Sequence, residues 1–551
     1  MTGPVSRARW PSFDPDRIVF EDRSLLVVDK PSGVPTQAAR ETDRDDLPAR
    51  LRAFLTERDG GAPYLGIHQR LDRATSGLVL YTRDKAANAP IAKQLEGRTA
   101  QKTYLAAVEG YKGGARRLEH RLGPLVDGRV SVVDARDRRG QEAITHVDVV
   151  AREGRRALLS LRLETGRTHQ ARAQLAAIGA PIAGDRLYGG ARANRLMLHA
   201  CALDLPSLGR RFECPVPESL SAWVARGEVG LPAAFGPALA DALCLRAALF
   251  EQASAYRWVN GAGDELPGVV VDRYGDHAVL AVSSDEAAAR AREIADALLV
   301  LGARGVYLKL RERADQRQVD RDKNAPPLPI AGEPAEAELV VTEGELRFPV
   351  RLADGLSTGL FVDQRDNRDR IRRLSGGRRV LNLFSYTCSF SVAAARGGAR
   401  EVVSIDLSRP ALDRGRAAFE ENGLDPAQHR FHHEDCVAWL GRARRRQERF
   451  GLVILDPPSF GTRSKRATFD VDRDYGRVAA DALALLEPGG RLLAVTNHRK
   501  TSRERMRRTL HEAARSAGAE LRQLKDLPSP LDCPDGPDGP EPMKSFLVTL
   551  V

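Results

Sequence analysis

The residues of this 551-residue chain whose types and spacing suit chemistry fall into two groups, far apart in sequence. In the first, HQRLDRATSGLVL (68–80) sets one carboxylate, Asp72, between Arg70 and Arg73, with Thr75 and Ser76 behind it and an apolar run beyond. An ionised carboxylate can act as nucleophile or as general base, and a guanidinium beside it favours the charged form. A salt-bridged Asp holding a turn is the ordinary fate of such a residue. Against that reading stand the Gly and apolar run that follow, which put Asp72 at a loop–strand junction, an aromatic in QKTYLA (Tyr104), and Arg167, His169 and Arg172 at a helix start in ETGRTHQARAQ. The second group consists of acids at the C-terminal ends of strand-like segments: Asp406 ends VVSID, Asp435 ends FHHED, and Asp456 ends LVILD and is followed by Pro457 and Pro458. One acid in such a place is a helix cap; three at successive strand ends mark the edge at which open α/β sheets take ligands.

The elements that must position these residues differ between the two groups. Residues 17–225 read as many short strands and two clear helices: β-branched runs broken by turns in RIVFEDRSLLVVDKPSGVP, a helix over 84–98, a half-buried strand KTYLAAVEG (102–110), a strand LLSLRLETG (158–166), and a helix over 167–179 stopped by Gly179 and Pro181. Strands with few helices predict an α+β fold. Residues 226–345 read as a small α/β platform with a hairpin (LPGVVVDRYGDHAVLAVSS), an amphipathic helix over 285–302, a following strand, and a Pro- and Ala-rich linker over 321–339. From 346 to 551, strands RVLNLFS, EVVSIDLS, RFHHED, GLVILDPPSF, GRLLAVTN and SFLVTLV alternate with helices, which predicts a mostly parallel sheet covered on both faces. Residues 1–16 are left as an N-terminal tail.

Composition narrows the class. The length calls for two to four domains, and a 42% hydrophobic, 29% charged balance is that of a soluble globular chain. No apolar run suits a bilayer span, and the first residues lack the apolar segment of a secretory signal. Net charge is +11, and only 11 of the 85 basic residues are Lys. Arg contacts phosphate bidentately and stacks on bases, so the balance suits a polyanionic partner, although a GC-rich genome inflates Arg as well. Of the basic runs, 441–449 reads as a solvated helix face, whereas 365–379 and 499–508 could track phosphates. The six Cys are scattered without CxxC spacing, which predicts neither disulfides nor a metal site and fits a reducing cytoplasm.

With these residues in place, HQRLDRATSGL, QKTYLA, ETGRTHQARAQLAAIGAPIAGDRLYG and LMLHACALDL resemble, in order, the motifs of RluA-type pseudouridine synthases. The family's usual His-Arg-Leu-Asp is one residue longer here, His68-Gln69-Arg70-Leu71-Asp72. The resemblance implies that Asp72 acts at a uridine ribose, either attacking carbon 1′ or taking the 2′ proton. It implies that Arg172 pairs with Asp72 and that Tyr104 stacks on the base near carbon 5. Arg70 would fill the space left by the flipped uridine, with Arg167 and His169 beside the substrate. Leu163 would pack under the pocket, or be plain core. It implies no metal and no cofactor for this half.

STGLFVDQRDNR (357–368), NLFSYT (382–387), EDCVAWL, DPPSF (456–460) and TNHRK resemble class I S-adenosylmethionine-dependent 23S rRNA methyltransferases with a Rossmann-like fold. The likeness is nearest to the 7-methylguanosine-forming half of a bifunctional enzyme, less near to a 5-methylcytosine enzyme. The resemblance implies that Asn382, Phe384, Ser385, Tyr386 and Thr387 hold the methionine end of the cofactor, Asp406 the ribose and Asp435 the adenine amine. Asp456, Pro457 and Pro458 would line the slot for the target base, and Phe460 would stack on that base or be core. Cys388 stands where these relatives usually have Gly. The 5-methylcytosine relative places a Cys nucleophile after the strand that here reads AVTNHRK; this chain has Asn497 and His498 there. Carbon 5 of a pyrimidine needs such a nucleophile, whereas guanine nitrogen 7 has a lone pair and needs only positioning.

The resulting expectation is a fusion enzyme that isomerises a uridine and methylates a base in RNA, with 23S rRNA as the substrate the resemblance implies and tRNA open for the first half. The competing expectations are a cytosine carbon-5 methyltransferase in the second half, or a non-enzymatic RNA-binding assembly factor. The sequence is silent on oligomeric state and implies no membrane partner.

Overall fold

A computed structural model describes residues 13–37, 46–126, 128–227, 230–250, 252–311, 324–458, 460–464, 467–534, 536 and 543–551; the side chains of 248, 460–464 and 467–468 lie outside this description. Most of the expected N-terminal tail and part of the expected linker also lie outside it. The described residues form two compact units, one running to Phe250 and including 261–269, the other holding 251–260 and most of 270–551. No helix among them is long and apolar enough to cross a membrane.

The N-terminal unit is a mixed sheet whose strands run in the order Ile18–Glu21, Leu25–Lys30, Ser76–Thr82, Leu198–Leu205, Gln101–Glu109, Arg156–Leu163, Gln141–Glu153, Arg116–Leu122 and Val132–Val133. Short strands Gly66–Ile67 and Arg210–Glu213 pair with Ser76–Thr82 and Leu198–Leu205. Only the pairing of Ser76–Thr82 with Leu198–Leu205 is parallel among those described, and it is close. Gly77 sits at φ +113° with its Cα against the Ala200 backbone, where a Cβ would come within 2.3 Å of the Ala200 carbonyl oxygen. Only Gly suits both demands. Strand Ser76–Thr82 is buried throughout because both faces are covered. Val79 and Tyr81 pack with Leu51 and Leu55 of helix Leu47–Asp59, while Leu78 and Leu80 pack with Ile91 of helix Asn88–Glu96. The register His199↔Ser76, Ala200↔Tyr104 brings the end of the Asp72 loop and Tyr104 to either side of one central strand.

The C-terminal unit contains a sheet ordered Arg430–His433, Glu401–Asp406, Arg379–Leu383, Phe450–Leu455, Leu486–Thr496, Lys544–Leu550 and Leu521–Leu527. The first five are mutually parallel and the last two pair antiparallel. Both faces are buried: Val380, Val402 and Ile454 pack under Ile371 and Leu412, and Leu381, Val403 and Leu455 under Leu440, Val478 and Leu510. Strand order reverses between Arg379–Leu383 and Phe450–Leu455, the switch point at which such sheets open a crevice at their carboxyl ends. Ahead of this sheet lies a five-stranded one over 255–260, 269–274, 277–282, 305–310 and 331–332. The expected linker is thus partly sheet: Ala331–Gly332 pairs with Gly305 and Val306.

Candidate active sites

In the N-terminal unit the loop bearing Asp72 is held from the segment after strand Leu25–Lys30. The buried Lys30 ammonium donates to the carbonyls of Pro31 (3.0 Å), Val34 (2.9 Å) and Arg73 (3.1 Å). Thr36 Oγ1 donates to the Leu71 carbonyl at 2.7 Å and accepts from the Leu71 amide at 3.1 Å, and Ser32 Oγ donates to the Ala74 carbonyl at 2.8 Å. Both chain neighbours of Asp72 are fixed in this way, so its carboxylate has a defined exit.

That carboxylate meets Arg172, whose Nη1 donates to Asp72 Oδ2 at 3.0 Å. The other side of the guanidinium is bidentate on Asp185, with Nε to Oδ2 at 2.6 Å and Nη2 to Oδ1 at 2.9 Å. Asp185 is buried, with its side chain 1% exposed, whereas Asp72 keeps 26%, so the pair is anchored at the back and open at the front. Burial alone would lower the pKa of Arg172, but Asp185 and Asp72 outweigh it and raise it. His169 Nε2 lies 3.6 Å from the same Asp72 oxygen, and its Nδ1 meets the Tyr188 hydroxyl at 3.1 Å. Tyr188 is in turn seated on the Val130 amide and carbonyl. His169 opens helix Gln170–Ala177 from a left-handed backbone, φ +54°. Burial holds its pKa below the ordinary imidazole value, against the opposing charge of Asp72.

The structure therefore brings Asp72, Arg172 and His169 together. Tyr104 lies half-buried on its strand; burial first, then the Asp72 charge, raises its pKa and keeps the phenol protonated. Leu163 is half-buried against the core formed with Leu159 and Leu161. Arg70 is exposed. Arg167 donates from Nε to the Glu142 carbonyl at 3.1 Å. His68 is turned the other way, its Nε2 at 3.0 Å from Thr82 Oγ1. Sequence reasoning passes over Asp185, Tyr188, Lys30 and Thr36. The first two lie in the quoted GDRLYG, but nothing in their spacing shows that they meet Arg172 and His169.

The fold also gathers three ligand-type side chains that the sequence keeps apart. Atoms of Asp29, His199 and Cys214 lie within 4.8 Å of one another. His199 Nε2 faces Cys214 Sγ at 3.2 Å and its Nδ1 faces Ser76 Oγ at 2.8 Å. Arg195 donates to that hydroxyl at 2.5 Å, and Arg17 reaches Asp29 at 3.5 Å. Burial, then Arg195, pushes His199 down to about 3, so the imidazole is neutral. Two guanidiniums beside the group oppose a cation, and the cluster reads as a polar brace under the Asp72 loop.

In the C-terminal unit the loop after strand Arg379–Leu383 has an unusual backbone. Phe384, Tyr386 and Cys388 have φ of +58°, +48° and +62°, left-handed values that are uncommon for residues with side chains. Three contacts hold it: the Phe384 amide donates to Cys436 Sγ at 3.2 Å, the Ser385 amide to the Ile405 carbonyl at 2.9 Å and the Tyr386 amide to Asp406 Oδ2 at 2.8 Å. Thr387 Oγ1 donates to the Gly359 carbonyl at 2.5 Å. Asn382 is placed differently from the rest of the expected cofactor set. It is buried and its amide donates to Ser391 Oγ at 2.8 Å, bracing the strand against helix Ser389–Arg396.

Asp406 accepts from Tyr386 and, at 2.7 Å, from the Ser408 amide, one bond on each oxygen. Each carboxylate oxygen has a second lone pair, so Asp406 retains room for the hydroxyls of a ribose. Burial raises its pKa while the backbone donors pull it down. Asp435 caps helix Cys436–Arg445 through the Ala438 amide at 2.7 Å. Asp456 is pushed up to about 7, by burial first and by the neighbouring Asp363 second, with Arg368 opposing. Arg368 is itself buried and bidentate on Glu343, with Nε to Oε2 at 2.7 Å. Pro457 is buried and Pro458 exposed. The pairing Leu455↔Ala494 places the Pro-Pro step beside Thr496 and Asn497, and Asn497 is exposed. The side chain of Phe460 lies outside the described residues. His498 Nδ1 faces Thr501 Oγ1 at 3.0 Å and Asp472 Oδ1 at 3.4 Å. The left-handed loop, the acids at the ends of successive strands and the switch point fit an adenosyl cofactor with a methionine end.

The expected phosphate track over 365–379 is corrected in part. Arg365 and Arg368 are buried in ion pairs with Asp532 and Glu343, so they brace the fold. In the third run Arg503 and Arg507 pair with Asp526, and Arg505 with Asp472.

Comparison with known proteins matches a family model to each part of the chain. Residues 304–548 match the family model of S-adenosylmethionine-dependent methyltransferases, and residues 24–177 that of RNA pseudouridylate synthases. A ribosomal RNA large subunit methyltransferase from Deinococcus radiodurans is 37% identical over 51% of this chain and 71% of its own length. Ribosomal RNA large subunit methyltransferase I from Erwinia tasmaniensis is 34% identical over 55% of this chain and 76% of its own. Among solved structures, SMU.776, assigned as a methyltransferase and solved in complex with SAH, superimposes with a TM-score of 0.51 at 29% identity, covering 57% of this chain and 80% of that one.

Proposed function

Because the chain belongs to the family of ribosomal RNA large subunit methyltransferases and carries an RNA pseudouridylate synthase unit ahead of the methyltransferase, we propose that it modifies 23S ribosomal RNA twice. One uridine is isomerised and one guanine is methylated at nitrogen 7, in the cytoplasm where ribosomes are made.

In the first reaction the target uridine leaves its stack and Arg70, exposed and without an ion pair among the described residues, enters the vacated place. Asp72 acts at the ribose, on carbon 1′ or on the 2′ proton. The bond from carbon 1′ to nitrogen 1 breaks, the uracil turns, and carbon 5 bonds to carbon 1′. The proton leaving carbon 5 is balanced by the one gained at nitrogen 1, with Tyr104 beside the ring for that transfer. The observation that supports this reading most directly is the Asp72 carboxylate held at 3.0 Å by an Arg172 locked from behind on Asp185.

In the second reaction S-adenosylmethionine supplies an electrophilic methyl group. The loop Phe384–Thr387 seats its methionine end, Asp406 takes the ribose hydroxyls, Asp435 the adenine amine, and Asp456, Pro457, Pro458 and Asn497 line the slot for the base. A nitrogen acceptor is supported by the thiols present. Cys388 and Cys436 are buried, burial pushes Cys388 up to about 12, and no Cys follows strand Leu486–Thr496 before Cys533. A carbon-5 target would need a thiolate nucleophile at that edge.

Mass-spectrometric mapping of rRNA nucleosides from a deletion strain tests both halves. The expected loss is one pseudouridine and one 7-methylguanosine in 23S rRNA. Loss of a 5-methylcytidine instead would overturn the nitrogen assignment, and loss of the pseudouridine from tRNA would move the first substrate. Unchanged marks, with no calorimetric binding of S-adenosylmethionine, would leave an assembly factor.

A further inference from the structure

We infer that Gly415 is a positioning residue for cofactor binding: the side chain it lacks is the space that Cys388 occupies, and this fit holds the loop Phe384–Cys388 in its left-handed form. The inference rests on the reading of that loop as the seat of S-adenosylmethionine.

Cys388 departs from the glycine its φ of +62° would favour. Its side chain is fully buried, with Sγ 3.7 Å from both Ser385 Oγ and the Tyr386 carbonyl, so it packs beneath the loop it belongs to. The wall it meets is Gly415, a buried position inside helix Arg409–Glu421. A Cβ placed on Gly415 would lie 2.6 Å from Cys388 Sγ, 2.8 Å from Cys388 Cβ and 3.4 Å from the Thr387 carbonyl oxygen. Rotating the thiol away would relieve the first of these contacts. The second cannot be relieved by rotation, because a Cβ moves only with its backbone. Any side chain at 415 must therefore push the Thr387–Cys388 backbone, and through it the Tyr386 amide that is held on Asp406.

Helix propensity points the opposite way. Alanine is favoured over glycine in a helix interior, so absent this contact Gly415→Ala would be neutral or stabilising. Cys388 and Gly415 thus form a matched pair across 27 residues: a side chain where the loop geometry favours none, and none where the helix favours one.

The test is a mutant series in the full-length chain, read by calorimetric binding of S-adenosylmethionine, methylation kinetics and thermal melting. Gly415→Ala is expected to weaken cofactor binding about tenfold, in line with overpacking of a tight contact, with kcat at saturating cofactor little changed. Cys388→Gly alone, which empties the space beside Gly415, is the reference for the double variant. Added to Gly415→Ala, Cys388→Gly should restore affinity, whereas Cys388→Ala, which keeps the Cβ, should restore it only in part. Normal affinity in Gly415→Ala, or a defect that Cys388→Gly leaves in place, overturns the inference. If Gly415→Ala is insoluble, a soluble, cofactor-binding double variant supports it and an insoluble one overturns it. Failure of the unmodified chain to bind S-adenosylmethionine would instead strike the reading of the loop.

Discussion

Arg172 gives Asp72 a single hydrogen bond, 3.0 Å from Nη1, while Nε and Nη2 on its other side are committed to Asp185. Asp72 is thus held by a cation that cannot follow it and cannot leave. A lysine could supply the charge but not this fork.

Asp185→Asn should therefore slow uridine isomerisation without touching the reacting groups. A misplaced charge partner is expected to reduce the rate by about 10²-fold, with RNA affinity retained. Single-turnover assays on an rRNA fragment, beside a filter-binding titration, give both quantities. A rate equal to that of the parent chain would show that Asp185 is not what places Arg172.

The two reactions should be separable. Asp72→Asn is expected to abolish pseudouridine formation and leave methylation intact, and Asp456→Ala the reverse. Nucleoside mass spectrometry on RNA treated with each variant reads both marks at once. Loss of both marks from one soluble variant would contradict independent sites.

Lys30→Met should destabilise the N-terminal unit by about 2 kcal/mol or more, since three carbonyls lose their donor at once. Hydrogen exchange is expected to show the loss first in the amides of residues 71–75, because Lys30 holds Arg73 from a distance of 43 residues. Unchanged protection there would mean that Thr36 and Ser32 suffice.

Asp456 gives the C-terminal unit a pH dependence of known sign. Burial and Asp363 push its carboxyl up to about 7, whereas an unfolded chain ionises it near ~4. Below about pH 4 both states hold the proton and folding carries no penalty. Between about 4 and 7 only the unfolded chain has released it, so stability falls as pH rises, and above about 7 the loss is complete. Asp456→Asn should flatten this slope by roughly a few kcal/mol across that window. Exchange rates of the amides in strand Phe450–Leu455, compared between parent and variant at each pH, isolate the effect from other carboxyls. A variant with the parent's slope would refute it.

How much of this was legible in the sequence follows from what short-range pattern can encode. The acids Asp406, Asp435 and Asp456 were readable because strand–helix alternation fixes where strands end, and Asp406 and Asp456 follow apolar runs. Asp72 was readable through its neighbours at 70–76. The Arg172–Asp185 anchor was not, since spacing along the chain does not say which of several carboxylates a guanidinium will choose. Nor was the inward turn of Asn382, which depends on Ser391 and Ser404 from two other elements meeting under the strand. Strand Leu521–Leu527 escaped notice because LRQLKDL pairs on one side only and keeps its charges outward. The run 365–379 misled for a related reason: charge counted along a helix does not distinguish Arg373, which is exposed, from Arg368, which is buried on Glu343.

The parallel pairing closed at Gly77 has a consequence for synthesis. Strand Leu198–Leu205 lies between Ser76–Thr82 and Gln101–Glu109, yet it leaves the ribosome about a hundred residues after both. Until it arrives, the nascent chain presents two apolar strands with unpaired edges, an arrangement prone to mispairing. Asp72 and Tyr104 can come to either side of that late strand only once it threads into the gap, so translation must pass well beyond residue 205 before this half of the fold can close.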